Sequence, residues 1–168
     1  MSGCVVWITG RPSAGKSTFA ERVRPLIAQQ VGACALLDGD AVRGRLVPRP
    51  GYSAAERDAF YATLAGLAAL LAEQGLVVLV PATAHREEFR DRAREVAPRF
   101  LEVFVDTPVE ICAARDSKGL YAKSERGEVT QLPGAGESYQ APAQPDVVAS
   151  GGRDEAAYAA LISQLDRH

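Results

Sequence analysis

The sequence predicts an α/β fold, with three layers in the order α/β/α around a mainly parallel five-stranded sheet. Two observations predict it. Short apolar runs alternate with amphipathic stretches along the chain, which is typical of strand–helix units in a parallel sheet. The composition, 47% hydrophobic and 24% charged, is that of an ordinary globular protein. With 168 residues, we expect one domain over residues 1–168 whose core needs no disulfides.

Five apolar runs predict the strands. They are CVVWIT (4–9), ACALLD (33–38), LVVLV (76–80), FLEVFVD (100–106) and DVVAS (146–150). Their β-branched residues and continuous apolar character indicate strands covered on both faces. In such a sheet, ligands bind beyond the carboxyl ends of the strands.

Helices are predicted between these strands. They cover 16–30, 53–74 with Ser53 and Glu56 as a capping box, 86–97, a segment from Pro108 to about Asp116, and a segment from Asp154 onward. Residues 117–144 differ, because they are rich in Gly, Pro, Ser and charge and have little periodicity. A loop this long between two core elements is usually functional, so we expect a mobile lid there.

Charge and cysteine content exclude several classes of protein. The net charge is −2, the pI is about 5.7 and no basic tract stands out, so nucleic acid is not an expected partner. Cys4, Cys34 and Cys112 match no zinc spacing, and we expect them to be small buried residues in a reducing cytosol. No signal-peptide pattern or membrane-length apolar run is seen. We therefore expect a cytoplasmic protein without a membrane partner.

The segment GRPSAGKST (10–18) matches the phosphate-binding pattern G-x-x-x-x-G-K-[ST]. Gly10 and Gly15 allow backbone torsions that direct successive N–H groups at one anion, and the following helix adds its positive end. Lys16 then reaches the β- and γ-phosphates of ATP, and the Ser17 hydroxyl ligates Mg²⁺. A glycine turn with an incidental lysine is the simpler alternative. The position between a strand and a helix favours a phosphate-binding loop, or P-loop.

A second candidate site follows the predicted second strand, in LLDGDAVRGRL. Asp38 ends that strand and Asp40 follows across Gly39, so both carboxylates are expected near the P-loop. Two carboxylates there can hold Mg²⁺ through water and accept a proton from an attacking hydroxyl. Arg43, on the next helical turn, can bind an anionic acceptor. The simpler alternative is that Asp40 only caps the next helix.

Four stretches together resemble the adenylylsulfate kinase family. They are GRPSAGKST, LDGDAVRGRL, FLEVFVDTPVEICAARDSKGLY and GEVTQLPG followed by SYQAP. The resemblance extends from about Val5 to Val148. It implies a P-loop NTPase fold of the nucleoside-kinase-like kind, and transfer of phosphate from ATP with Mg²⁺ to the 3′-hydroxyl of adenosine 5′-phosphosulfate (APS), giving PAPS for sulfate assimilation. It also implies a homodimer.

The resemblance assigns roles to individual residues. The implied ATP-binding residues are Gly10, Ser13, Ala14, Gly15, Lys16, Ser17, Thr18 and Arg115, with Ser17 as the metal ligand. The implied acceptor-binding residues are Asp38, Asp40, Arg43, Tyr52, Arg57, Phe60, Lys118, Gly119, Leu120 and Leu132. The implied catalytic residues are Lys16, Asp38, Asp40 and Lys118, and which aspartate is the base stays open.

The acceptor side departs from the family pattern. Phe60 stands at a family asparagine, Ala62 and Thr63 stand at arginines, and Leu132 stands at an aromatic residue. The segment PATAHR replaces F-I-S-P-Y-R, which makes its histidine a candidate contact for the acceptor. Three hypotheses follow: a kinase that makes PAPS, a kinase of the same architecture with another small hydroxyl acceptor, and a nucleotide switch that transfers nothing.

Overall fold

A computed structural model describes residues 3–116, 119–126 and 138–167. The strands are β1 (Cys4–Thr9), β2 (Cys34–Leu36), β3 (Val77–Pro81), β4 (Phe100–Val105) and β5 (Val147–Ala149). The helices are α1 (Lys16–Gln30), α2 (Gly39–Arg43), α3 (Ala54–Glu73), α4 (Glu87–Val96), α5 (Val109–Arg115), α6 (Leu120–Glu125) and α7 (Glu155–Asp166). The sheet order is β2-β3-β1-β4-β5, and every neighbouring pair is parallel.

The central strand β1 shows why the sheet is apolar on both faces. Val6 and Ile8 pack against the layer that contains α1 and α7, whereas Val5 and Trp7 pack against α3 and α4. All four side chains are at most 1% exposed. The two faces follow from the two-residue period of a strand. The predicted α/β/α arrangement with a parallel sheet is confirmed.

The position of β1 also places the P-loop. The chain leaves β1 toward β2 on one side, and it later crosses β1 to reach β4 and β5 on the other. Ligand crevices of parallel sheets form beyond the carboxyl ends of strands where the order reverses in this way. The loop after Thr9 therefore lies at the middle of the sheet, beyond the carboxyl ends of its strands.

Two elements differ from the sequence prediction. Strand β2 covers three residues instead of 33–38, because the chain turns after Leu37 to place Asp38 at the start of α2. Helix α6 lies within the predicted lid, where the periodicity was too weak to indicate it. It begins there because the Asp116 carboxylate accepts hydrogen bonds from the backbone N–H groups of Tyr121 and Ala122. None of the helices in the described part of the chain has the length and apolar character to cross a membrane.

The three cysteines are all free thiols. Burial raises the pKa of Cys4 and of Cys34 from the ordinary 9.0 to about 11, and it also raises the pKa of Cys112. Cys34 is partly exposed, so its ionisation limits its reaction more than access does.

We expect iodoacetamide to label native Cys34 at pH 8 about a hundredfold more slowly than an unperturbed thiol, because the thiolate fraction falls tenfold for each unit of raised pKa. The labelling rate should then rise with pH until about 11, the pKa of that thiol. Site-resolved mass spectrometry measures it, with protein unfolded in guanidinium as the reference. Rapid labelling of the native protein at pH 8 would contradict the expectation.

Candidate active site

The loop between β1 and α1 has the backbone of an anion cradle. Ser13 and Gly15 adopt left-handed conformations, with φ of 63° and 106°. Left-handed residues between residues of ordinary backbone conformation turn successive N–H groups to one side of the loop, which makes a concave site for an anion. Helix α1 begins at Lys16, directly after Gly15, and directs its positive end to the same place.

Side chains hold every carbonyl oxygen of residues 10–14. Lys16 Nζ donates to the carbonyls of Gly10 (2.9 Å) and Arg11 (2.8 Å). The Tyr121 hydroxyl donates to the Pro12 carbonyl (3.0 Å), and Arg115 Nη1 donates to that of Ser13 (3.4 Å). The Thr107 hydroxyl donates to the Ala14 carbonyl (2.7 Å). Because the N–H and C=O groups of a peptide unit point in opposite directions, fixing the carbonyls orients the cradle. Sequence reasoning missed Thr107, which is 2% exposed. Its signal was a threonine between the end of a strand and a proline that opens a helix.

A second glycine, Gly152, packs directly against the cradle. A Cβ atom at Gly15 would lie 2.7 Å from the Gly152 backbone nitrogen. A Cβ atom at Gly152 would lie 2.7 Å from the Gly15 carbonyl oxygen and 2.8 Å from Thr18 Cβ. The segment after β5 therefore supports the P-loop backbone at a distance that only glycine allows. The dipeptide Gly151–Gly152 carried no such signal in the sequence.

We expect Gly152→Ala to raise the KM for ATP about tenfold, because the added methyl group must push the Gly15 carbonyl out of place, and overpacking of this kind costs about 1–3 kcal/mol. Gly151→Ala is the matched control, since its Cβ would meet only Thr107 Oγ1 at 3.9 Å. Steady-state kinetics with varied ATP measures both variants, and thermal melts report their folding. A Gly152→Ala protein with the KM of the wild type would contradict the expectation.

Asp38 joins the cradle to the second site. Its Oδ1 accepts hydrogen bonds from the N–H groups of Asp40 (2.9 Å) and Ala41 (3.3 Å), and so caps α2. Its Oδ2 accepts a hydrogen bond from the Ser17 hydroxyl at 2.8 Å. The simpler alternative, in which Asp40 caps this helix, is not what the structure shows, because the Asp38 carboxylate binds the first N–H groups of α2. Asp40 lies in the first turn of that helix, exposed to solvent.

Three of the predicted acceptor residues, Tyr52, Arg57 and Phe60, lie near Arg43 at the end of α2. Arg43 is 5% exposed, and its Nη1 donates to the carbonyls of Gly51 (2.9 Å) and Pro50 (3.3 Å). The ring of Tyr52 lies 4.5 Å from its Cζ atom, and the ring of Phe60 lies 4.1 Å from it. The guanidinium of Arg57 lies 5.9 Å from the Tyr52 ring. Tyr52 is 57% exposed, so its ring remains open for stacking, whereas Phe60 lies in the core.

Buried side chains of the core hold the loop after β3 in place. The Tyr61 hydroxyl accepts from Ala84 N–H at 3.1 Å, and Arg90 Nη1 donates to the Ala84 carbonyl at 2.7 Å. The Thr9 hydroxyl donates to the Thr83 carbonyl at 2.6 Å. His85 is 2% exposed and packs edge-on against a core phenylalanine, so its surroundings are those of a core residue rather than of an open pocket.

Residues 139–140 of SYQAP attach to this same loop. The Tyr139 hydroxyl lies 2.7 Å from the Thr9 hydroxyl. Gln140 N–H donates to the His85 carbonyl at 2.8 Å, and its side-chain oxygen accepts from Glu87 N–H at 2.8 Å. Gln140 therefore caps α4, whose own first residues supply no side-chain cap. Sequence reasoning had no signal for this contact, because the two partners are 53 positions apart.

Arg90 connects these pieces from the interior. It is fully buried, and its Nε lies 3.2 Å from Glu102 Oε2, while its Nη2 donates to the Gln140 carbonyl at 2.5 Å. Burial raises the pKa of Glu102, an effect that Arg90 opposes. Arg90 Nη1 also donates to the Thr9 hydroxyl at 3.3 Å. Through these contacts Arg90 connects the end of β1, the loop after β3 and Gln140 with Glu102 on β4.

Part of the predicted lid lies outside the described residues. Lys118 and Leu132 belong to that part, as does the side chain of Leu120 at the start of α6. Gly119 has a left-handed φ of 67°, and its N–H donates to the Asp116 carbonyl at 2.8 Å. These roles, like those of the other site residues, remain predictions.

Comparison with known proteins adds an independent line of evidence. A family model described as adenylylsulphate kinase matches residues 2–150. The adenylyl-sulfate kinase of Chloroflexus aurantiacus is 42% identical over 87% of this chain and 78% of its own length. The adenylyl-sulfate kinase of an Enterobacter species is 40% identical over 97% of this chain and 81% of its own length.

A solved structure is similar over nearly the whole chain. It is the APS kinase CysC of Mycobacterium tuberculosis in complex with AMPPNP and APS, which is 37% identical to this chain, with a TM-score of 0.87. The match covers 97% of this chain and 98% of that one.

Proposed function

This chain belongs to the adenylylsulfate kinase family, and we propose that it transfers the γ-phosphoryl group of ATP to the 3′-hydroxyl of APS, giving PAPS and ADP in sulfate assimilation. The observation that carries the proposal is the bond between Ser17 and Asp38. In this bond a carboxylate lies directly beside the P-loop, which supports a proton acceptor at that position. The Mycobacterium tuberculosis relative, which binds AMPPNP and APS, supports the same pair of substrates.

On the donor side, this chain supplies positive charge and N–H groups. The cradle binds the β- and γ-phosphates through its N–H groups, and the positive end of α1 adds to their stabilisation. Lys16 lies 2.8–2.9 Å from two cradle carbonyls, so its ammonium group is already at the mouth of the site. It moves onto the phosphate oxygens and neutralises the charge that develops during transfer.

The donor atoms present fit Mg²⁺. Ser17 and Asp38 place a hydroxyl and a carboxylate oxygen 2.8 Å apart, and hard oxygen atoms are the ligands that Mg²⁺ prefers. Within the described residues no group of three or more His, Cys, Asp or Glu side chains forms a metal cage. Ser17 would hold the ion directly and Asp38 would hold it through water, beside the phosphate groups of ATP. Bound there, Mg²⁺ would supply positive charge next to the transferred phosphoryl group.

On the acceptor side, one aspartate takes a proton. The 3′-oxygen bonds to the γ-phosphorus as the bond to the β-phosphate oxygen breaks, and the hydroxyl proton passes to Asp38 or Asp40. Asp38 is held in place by three hydrogen bonds, which suits a base that must be correctly oriented. Arg43 binds an anionic group of APS, and Tyr52 stacks on its adenine.

The direct test is an assay with Mg-ATP and APS, with PAPS and ADP resolved by chromatography and mass spectrometry. We expect PAPS and ADP in equal amounts. ADP without PAPS, or no turnover, would contradict the proposal and favour another hydroxyl acceptor, to be sought by screening small alcohols and nucleotides. Tight ATP binding without any product would instead favour a nucleotide switch.

We also propose that two copies pair in the cytoplasm. On α3, Leu67 and Leu70 are 37% and 53% exposed, and the exposed positions between Ala59 and Leu70 carry no charge, which supports a contact between copies. The three free thiols support a reducing compartment. Sedimentation of the wild type and of Leu70→Lys tests the pairing. A wild type that stays monomeric at tens of micromolar would contradict it.

A further inference from the structure

The guanidinium of Arg43 is held between two aromatic rings. Its Cζ lies 4.1 Å from the ring centre of Phe60 and 4.5 Å from that of Tyr52. Its Nη1 is fixed on the carbonyls of Gly51 and Pro50. A planar cation that contacts two rings and is hydrogen-bonded through one nitrogen has little freedom to rotate.

The other edge of this guanidinium keeps donors for a ligand. Within residues 3–116, 119–126 and 138–167, the Arg43 side chain donates hydrogen bonds only through Nη1. Arg43 is 5% exposed, so a ligand would contact it through this polar edge rather than through its aliphatic chain. A guanidinium donates in its own plane, so a ligand meets it at the Nε–Nη2 edge. That edge has the geometry of a bidentate contact with an oxyanion, such as a phosphate or sulfate group.

The two rings have different relations to solvent. Tyr52 is 57% exposed and can contact a substrate directly. Phe60 is 3% exposed, so its ring is covered by the protein and has almost no surface to offer a ligand. Any influence of Phe60 on the acceptor must therefore pass through a neighbour that does face it, and among its ring contacts are Arg43 and Tyr61.

We propose that Phe60 is a positioning residue that sets the affinity for the anionic acceptor by holding the Arg43 guanidinium edge-on to the oxyanion. The inference rests on the proposed function, since it takes APS as the acceptor. Phe60 fixes the cation from the core side without contacting the substrate. We expect its effect to appear in acceptor binding, because its ring contacts with Arg43 and Tyr61 lie outside the P-loop.

The test compares two identical substitutions in one core cluster. Phe60→Leu removes the ring against Arg43, whereas Phe89→Leu removes an equally buried ring that packs on Tyr61 and His85 and not on Arg43. We expect Phe60→Leu to raise the KM for APS about tenfold, as loss of a desolvated cation–π contact implies. The kcat and the KM for ATP should stay within about twofold of wild type. Phe89→Leu should leave the KM for APS within the same range.

A double-mutant cycle separates positioning from a general packing effect. Arg43→Lys keeps the positive charge but loses the planar group that the rings hold. In that background, Phe60→Leu should change the KM for APS by less than about twofold, because no guanidinium remains to be oriented. Thermal melts check folding, and Phe60→Met replaces Phe60→Leu if the latter does not fold.

Each outcome decides the proposal. An unchanged KM for APS in Phe60→Leu overturns it. So does an equal rise on adding Phe60→Leu to the wild type and to the Arg43→Lys variant, or an equal rise in Phe89→Leu. A wild-type protein that forms no PAPS overturns the proposed function and this inference together. Normal PAPS formation with an unshifted KM overturns the inference alone.

Discussion

Replacing Lys16 by alanine is expected to lower PAPS formation by at least about a thousandfold. Lys16 supplies a mobile positive charge at the mouth of the cradle, where its Nζ lies 2.9 Å from the Gly10 carbonyl. Alanine removes the charge that offsets the developing negative charge on the transferred phosphoryl group. Initial rates with saturating Mg-ATP and APS measure the loss.

The control for this variant is Arg22→Ala, which removes an exposed positive charge from the same helix, α1. It should keep wild-type turnover. A Lys16→Ala protein that turns over like wild type would contradict the proposal that this loop binds the transferred phosphate, and with it the proposed kinase activity.

Asp38→Asn is expected to lower kcat by about a hundred- to ten-thousandfold while changing ATP affinity by less than about threefold. Asparagine keeps an oxygen that can cap α2, so the helix should remain in place. It lacks the anionic oxygen that accepts the Ser17 hydroxyl at 2.8 Å and cannot take up a proton near neutral pH. Steady-state kinetics and ATP titration by calorimetry separate the two effects.

Asp40→Asn, measured in parallel, assigns the base. A larger loss of kcat in Asp38→Asn assigns the proton to Asp38, and a larger loss in Asp40→Asn assigns it to Asp40. Unchanged turnover in Asp38→Asn would contradict its role as base. Melting temperatures of both variants show whether loss of the α2 cap, rather than of chemistry, accounts for a change.

Local patterns predicted the elements whose causes are local. The bounds of β1 and α1 follow from one apolar run and one glycine-rich motif, and the structure places them at the expected residues. The start of α3 follows from the hydrogen bond between Ser53 and Glu56 N–H. The sequence suggested Asp40 as the cap of α2 only as an alternative, and Asp38 is the cap, because two aspartates two residues apart do not show which one the backbone turns toward the helix.

Contacts between distant segments account for what the sequence could not predict. Thr107 reaches Ala14 across 93 positions, and the hydroxyl of Tyr139 reaches that of Thr9 across 130. Arg90 lies in a predicted helix rich in charged residues, yet it is fully buried and pairs with Glu102. These contacts depend on the strand order β2-β3-β1-β4-β5, which no local pattern contains. Strand alternation alone indicates a parallel sheet but not which strands are neighbours.

The hydrogen bonds that hold Tyr139 and Gln140 have a consequence for how sequences of this kind can vary. The chain before residue 127 is fixed at Asp116 and Tyr121, and the chain after residue 137 is fixed at Thr9 and α4, each without help from the other. These two sets of hydrogen bonds share no residue, because Asp116 and Tyr121 form one set and Tyr139 and Gln140 form the other. A natural substitution that loosens one set should therefore leave the other in place, since effects at sites without shared partners are usually independent. The two segments can diverge separately while each stays attached to the same core.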